Sequence, residues 1–463
     1  MELRLSEVYQ NNVTFRFDSE YFKNEYLIID NILNQHNLFK LDTLSLWVTQ
    51  GANPTFSEDG INCLTGRNIN SGKVNYENSD YIDEIEFNIL SRFQLKLNDI
   101  LITLKGKGAI GKIGYITEER SAIFSRNIGL IRINQDKVSS IYIYLFLISK
   151  FGVKLIEKGE TGGTGQSTLT TTYLKNMLVP IVSNDFQLKL HNLIESSHKK
   201  LEESKTLYKQ SEELLLKELD LLDFEPSKEK IAIKSFSESF GSSGRLDSEY
   251  YQPMYDEIEK NISDNSNKTF IKDEFIHIKT KFDKSKNGYN YTEIGNVNVS
   301  DGTNISKYVL TEDLPANAKI NALDGDLLIS TVRPNRGAIT IINTDETDLI
   351  VSGAFTVLRK KENSQINTQV LQVLLRTNIY KELLLKYNVG TQYPVIKDED
   401  VLNLIIPIID KKIQTQIEDK IKESFRLKEE SKRLLEVAKR AVEMAIEEGE
   451  DMGMGFIKDE VDL

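Results

Sequence analysis

Two long stretches of the chain carry a helical alternation of apolar and polar positions. In the first, Ile194, Leu201, Tyr208, Leu215 and Leu222 recur every seven residues, with Leu190, Ser197, Ser204, Ser211 and Glu218 on the second line of the seam. In the second, Ile421, Lys428, Leu435 and Val442 form one line, and Ile417, Ser424, Ser431, Ala438 and Ala445 form the other. A 4-3 stripe of this kind predicts helices that pack lengthwise on a partner helix. Small residues on the second line would allow close approach if the two helices pair with each other. Gln187 and Gln414, Ile194 and Ile421, and Ser204 and Ser431 all stand 227 residues apart. Two unrelated amphipathic helices would not share an offset, so the pattern points to a duplicated chain.

The same spacing recurs between the helices. Asp99-Ile-Leu-Ile-Thr103 predicts a strand, matched 227 residues on by Asp326-Leu-Leu-Ile-Ser330. Residues 128–133 and 355–359 predict a second pair of strands, preceded by Ser125 and Ser352 at the same offset. Helical runs come next, near 141–158 and 369–387, and short strands end at Pro180 and Pro407. Each half opens on one motif, Arg16-Phe-Asp-Ser-Glu-Tyr21 and Arg245-Leu-Asp-Ser-Glu-Tyr250. Its plainest reading is structural, with the arginine and acids pairing locally while the tyrosines seal a core edge. The predicted class is α+β: two mixed α/β domains joined by two long antiparallel coiled-coil helices. The expected boundaries are 1–185, a helix over 186–224, 225–410, a helix over 411–449, and a solvated, disordered acidic tail over 450–463.

Composition narrows the function. With 463 residues, 40% hydrophobic and 28% charged, the chain reads as a soluble protein of two or more domains. No apolar run is long enough for a bilayer, and the first residues lack the apolar core of a signal peptide. Cys63 is the only cysteine, and the four histidines are scattered, which argues against disulfides and a zinc site and for a reducing, cytoplasmic setting. A net charge of −12 argues against coating nucleic acid by bulk charge, though not against a local basic surface.

Two stretches in each half could carry chemistry. Gly106-Lys-Gly-Ala-Ile-Gly-Lys112 satisfies GxGxxG literally, but a phosphate-binding loop must open a helix, and residues 113–117 read as a strand. Ile113 also stands where magnesium would need a hydroxyl, so a nucleotide site is rejected. Both halves instead share a tight turn presenting cations after a buried strand. Lys105, Lys107 and Lys112 do so in the first, near Arg126; Arg333 and Arg336, with Asn335, do so in the second. Such a turn suits phosphates or base edges, or is simply a solvated hairpin tip. The loop 159–168 offers Thr164, Gln166 and Ser167, and its counterpart offers Gln392 and Tyr393. Glycine lets such a loop approach a ligand surface closely, and its amide and hydroxyl groups can read bases or phosphates. No methyltransferase, helicase, nuclease or hydrolase motif is present, so the chain is expected to bind and position rather than catalyse.

The ordered duplication, the two Arg-x-Asp-Ser-Glu-Tyr openings, the strand-turn 101–114, the Gly-Thr-Gly-Gln-Ser loop and the paired helices together resemble the specificity subunit of type I restriction-modification enzymes. The helix starts at Pro180 and Pro407 lack the further prolines usual in that family. The resemblance implies two target recognition domains, each reading one half of a split, asymmetric double-stranded DNA target. It also implies two methyltransferase subunits docked on the helices (here Ile194, Leu201, Tyr208, Leu215, Ile421, Leu435 and Val442) and restriction subunits that translocate and cleave. S-adenosylmethionine, ATP and magnesium would then belong to those partners and no cofactor to this chain. A helix over 186–222 would span on the order of 55 Å, more than the ~34 Å of one duplex turn, which implies an unread spacer between half-sites. Alternatives are the specificity subunit of a type IIB-like enzyme and a coiled-coil scaffold without DNA affinity.

Overall fold

The computed structural model describes residue 12 and residues 15–70, 72–77, 79–106, 108–162, 167–265, 267–390 and 392–461. Its principal elements are β1 (Ser45–Gln50), β2 (Ile100–Thr103), β3 (Ile113–Tyr115), β4 (Ile128–Ile133), α1 (Ser140–Ile148), α2 (Lys150–Gly159) and α3 (Asn184–Glu218). They continue with β5 (Phe275–His277), β6 (Leu327–Ser330), β7 (Ile339–Ile341), β8 (Phe355–Lys360), α4 (Thr368–Arg376), α5 (Asn378–Leu385), α6 (Lys411–Glu447) and α7 (Glu450–Val461). The chain divides into two compact units, Met1–Leu201 with Lys428–Leu463, and Glu202–Leu427. Both cuts fall inside α3 and α6, so each unit includes half of each long helix. The fold is mixed helix and sheet.

In unit 1 the sheet runs β1-β4-β2-β3 with every neighbour antiparallel. All four residues of β2 are buried, which is why this strand reads as an unbroken apolar run rather than an alternation. In unit 2 the sheet runs β5-β8-β6-β7 in the same sense, and β6 is likewise buried throughout. Each sheet has a companion sheet in which a strand pairs parallel with one starting at Ala122 or at Leu349, again 227 apart. The residue before β2 and that before β6 are buried aspartates, each bound by two guanidinium nitrogens. Arg132 donates to Asp99 with both bonds at 2.7 Å, and Arg359 to Asp326 with both at 2.7 Å.

The helical runs expected near 141–158 and 369–387 are each two helices. Ser149 and Thr377 interrupt them and cap the second helix by accepting from Gly152 N and Tyr380 N. Helix α3 stops at Glu218, short of Leu222, because Asp220 turns left-handed at φ 52. Within unit 1, Ser197 Oγ donates to Ser431 O at 2.7 Å; within unit 2, Ser424 Oγ donates to Ser204 O at 2.7 Å. The small seam residues are thus where backbones come close. Arg16 pairs with Asp18 and ties down the carbonyls of Lys158 and Glu160, while Arg245 pairs with Asp247 and the carbonyl of Asn388. The opening motif is therefore a clamp on the loop after α2 or α5.

The acidic end corrects an expectation. Residues 450–461 are a helix, not a disordered tail, with Gly453 and Ile457 buried in unit 1. A Cβ on Gly453 would stand 2.8 Å from Ala441 O and 3.0 Å from the Phe186 ring, so this glycine is what lets α7 seat there.

Candidate nucleic-acid interface

The residue after the central strand organises each unit. In unit 1, Leu104 N donates to Asn127 O at 2.8 Å and Leu104 O accepts from Leu169 N at 2.9 Å. In unit 2, Thr331 N donates to Ala354 O at 2.9 Å and Thr331 O accepts from Ile396 N at 3.0 Å. Isolated bridges join Lys105 to Thr168 and Val332 to Val395. Every atom pair here is matched 227 residues on. Three segments therefore converge in each unit: the turn after the strand, the turn into β4 or β8, and the loop after α2 or α5. Both candidate stretches read from the sequence lie side by side.

In unit 1 the turn is built on left-handed glycines, Gly106 (φ 132), Gly108 (φ 68) and Gly111 (φ 75). A Cβ on Gly111 would stand 2.7 Å from Ile156 Cγ2, so α2 packs directly beneath the turn. Lys105 and Arg126 are exposed on this surface, and Lys112 and Ser167 are half-buried. Lys107, Thr164 and Gln166 lie outside the described residues.

Unit 2 replaces the glycine turn with Val332-Arg333-Pro334-Asn335-Arg336-Gly337. Arg333 occupies the position of Gly106 and is itself left-handed, at φ 50. It stays there because its N donates to Pro394 O at 2.7 Å, its O accepts from Arg336 N at 3.0 Å, and its guanidinium lies 5.3 Å over the Tyr393 ring. Asn335, Arg336 and Gln392 are exposed. Arg333, Arg336 and Tyr393 line a cavity of about 360 Å³ with apolar walls that include Val297, Val299 and Ala338. Cations and an aromatic face over apolar walls form a surface that can hold a phosphate and stack or pack a base.

One contributor was missed from sequence. Arg376, at the end of α4, donates to Gly337 O at 2.7 Å, to Val299 O at 2.9 Å and to Tyr208 Oη at 2.7 Å. The sequence signal was there: a cation where the first half has Ile148, one residue before the capping Ser149 or Thr377. Around it, burial raises the Glu212 carboxyl, with Lys381 and Arg376 opposing, and burial lowers the Lys381 ammonium, with Arg376 adding to the effect. Burial also raises the Tyr208 hydroxyl, against the pull of Arg376.

The seam residues read as partner contacts are placed differently. Ile194, Leu215, Ile421 and Val442 are fully buried in their own units, so they serve internal packing and offer a partner no surface. Leu201, Tyr208 and Leu435 are half-buried. Cys63 is buried, and loss of solvent pushes its thiol up to about 12, far from a reactive thiolate. Among the described residues no group of three or more His, Cys, Asp or Glu could hold a metal, and no helix is long and apolar enough to cross a membrane.

Residues 52–207, which include the three segments that converge at Leu104, match the family described as type I restriction modification DNA specificity domain. The chain carries a type I specificity domain. It is similar to the type I restriction enzyme MjaVIII specificity subunit of Methanocaldococcus jannaschii, 28% identical over 172 residues, which cover 35% of this chain and 40% of that protein. It is also similar to the HindI specificity subunit of Haemophilus influenzae, 30% identical over 110 residues, 23% of this chain and 24% of that protein. The matched stretches thus span less than half of either relative. Solved structures with a loose likeness include a type I restriction-modification S subunit from M. genitalium, at TM-score 0.44 and 13% identity over 89% of this chain and 96% of that one. Another is the HsdS subunit of Thermoanaerobacter tengcongensis, at TM-score 0.29 and 14% identity over 89% and 97%.

Proposed function

We propose that this chain is the non-catalytic DNA-recognition subunit of a cytoplasmic type I restriction-modification complex. It would be an internal duplication in which each unit reads one half of a split double-stranded target. The observation that carries the reading is the paired convergence at Leu104 and Thr331. The backbone bonds repeat at one offset while the side chains they present differ, Lys105-Gly106 against Val332-Arg333. A shared frame with divergent tips is what an asymmetric target requires, since phosphate contacts set register and base contacts set choice. Lys105, Lys107, Lys112, Arg126, Thr164, Gln166 and Ser167 would face one half-site, and Arg333, Asn335, Arg336, Gln392 and Tyr393 the other.

The long helices would form an antiparallel coiled coil that fixes the unread spacer. With the seam closed internally, methyltransferase subunits would dock on the outer helix faces, which carry exposed pairs such as Lys205 with Glu202 and Arg426 with Glu423. Those subunits would bring S-adenosylmethionine and much of the cationic surface that an acidic chain lacks; restriction subunits would bring ATP and magnesium. The test is a genome-wide map of adenine methylation with this gene intact and deleted. Loss of one motif, two short halves around a fixed gap, is expected. If co-expression with the adjacent methyltransferase gene yields neither a complex nor a methylated motif, the reading fails.

A further inference from the structure

The three bonds of Arg376 join parts of unit 2 that do different work. Gly337 O closes the turn carrying Arg333 and Arg336, and Val299 O belongs to the facing wall of the cavity. Tyr208 is on the first long helix, and its hydroxyl accepts from Arg376 Nε while the guanidinium lies 5.8 Å over its ring. A planar guanidinium serves acceptors from three nitrogens held in one rigid fork, whereas the three donors of an ammonium radiate from a single atom on a flexible stem. In unit 1 the positions matching Gly337, Arg376 and Tyr208 are Ile110, Ile148 and Leu435, which pack against that unit's apolar core and offer no guanidinium. There the carbonyl matching Val299 O, that of Gly72, accepts from Tyr144 Oη at 3.2 Å instead.

We propose that Arg376 is a positioning residue that fixes both walls of the unit 2 reading cavity to the long helix, so that base choice by this half depends on the helix and base choice by the other half does not. This rests on the DNA-reading role above and deepens it. Because Arg376 does not line the cavity but holds the carbonyls of Gly337 behind the turn and of Val299 in the facing wall, it acts through the placement of Arg333, Arg336 and that wall. Linkage then makes the effect reciprocal: whatever stabilises this placement of Tyr208 sharpens the half-site, and a matched half-site stabilises this placement of Tyr208.

The experiment uses the full chain assembled with its methyltransferase subunits and competition binding with duplexes altered one base at a time in each half. The variants are Arg376→Gln, Arg376→Lys and Tyr208→Phe. For Arg376→Gln, discrimination should fall about tenfold in one half and stay at the wild-type value in the other. Arg376→Lys should not rescue it. Tyr208→Phe, which removes one oxygen and leaves the cavity intact, should lower discrimination about threefold in the same half. Wild-type discrimination by assembled Arg376→Gln complex would overturn the proposal, as would equal loss in both halves, the mark of a general structural defect. Should Arg376→Gln fail to assemble, Tyr208→Phe decides alone, and wild-type behaviour there refutes the link. A wild-type complex that discriminates in neither half would sink the recognition role itself, a failure separate from that of Arg376.

Discussion

Arg333 offers a sharp test, because its backbone and its side chain predict different things. A non-glycine residue at φ 50 costs about 1–2 kcal/mol, and the matching position in the first half is Gly106. Replacing Arg333 by Gly relieves that strain. It returns about 0.4–1 kcal/mol through the freer unfolded chain and loses roughly 0.5 kcal/mol of stacking on the half-exposed Tyr393. The sum is close to zero. Replacing it by Ala keeps the strain and still loses the stack, so this variant should be less stable than the Gly variant by about 1 kcal/mol. In a unit of over 200 residues that is a Tm difference of about 2–4 °C. Both variants should bind DNA equally poorly. If the guanidinium neutralises a phosphate, the slope of log affinity against log salt flattens by about 0.9 for either variant, and all sequences weaken together. If it reads a base edge, about 1–3 kcal/mol of discrimination disappears at one position. Fluorescence anisotropy of the assembled complex at several salt concentrations, beside calorimetric unfolding, measures both quantities. An Arg333→Gly complex that binds within twofold of wild type at every salt would refute the role of the side chain. An Arg333→Ala variant as stable as Arg333→Gly would refute the strain.

Arg132→Met should cost about 3 kcal/mol or more, because it strands Asp99, whose side chain is 1% exposed. Arg359→Met should cost less, since that arginine is 37% exposed and water can replace part of its pairing; comparison of the two unfolding transitions checks this. Ser197→Ala should lose about 1 kcal/mol with the bond from its hydroxyl to Ser431 O, and Ser197→Leu about 1–3 kcal/mol more by overpacking the seam; urea titration ranks them. Burial lowers the His277 imidazole below its usual 6.5, with Asp398 opposing. The unfolded chain therefore takes up the proton first as pH falls, so the contribution is present above pH 6.5 and is lost as pH drops through the lower folded value. His277→Gln should flatten that part of a stability–pH profile, and an unchanged slope would refute the assignment.

Periodicity and offset made the framework legible. Both central strands, both seams and the local pairing of Arg16 and Arg245 within their motifs could be read because burial on both faces, heptad spacing and local ion pairing leave direct marks in sequence. The reach of those arginines to the carbonyls of Lys158, Glu160 and Asn388 could not. The convergence at Leu104 and Thr331 could not, since it is made of backbone bonds between segments far apart in the chain. Helix α7 was hidden for a more specific reason. Gly453 lowers helix propensity by about 1 kcal/mol and so argues against a helix, yet it is the contact with Phe186 and Ala441 that requires it. Tertiary packing overrode local preference. The seam residues misled in the opposite way: a heptad stripe reveals that a helix has a partner, but not that packing within the chain uses up Ile194, Leu215, Ile421 and Val442 and leaves them no surface for another subunit.

The division of labour between backbone and side chain explains how two halves can share a frame and still differ at their tips. At Leu104 and Thr331 the bonds common to both halves are main-chain bonds, with the Thr331 hydroxyl adding one to Ala354 O in the second, so the next residues carry no obligation to the fold beyond their backbone angles. Gly106 meets that obligation without strain and presents nothing; Arg333 meets it at a cost and presents a cation. The second half then needs support that the first does not, and Arg376 supplies it behind the turn, where the first half has only Ile148 against its core. A frame fixed by main-chain bonds can accept new side chains one loop at a time. Each charged side chain set into a turn that favours glycine raises the demand for a brace beneath it.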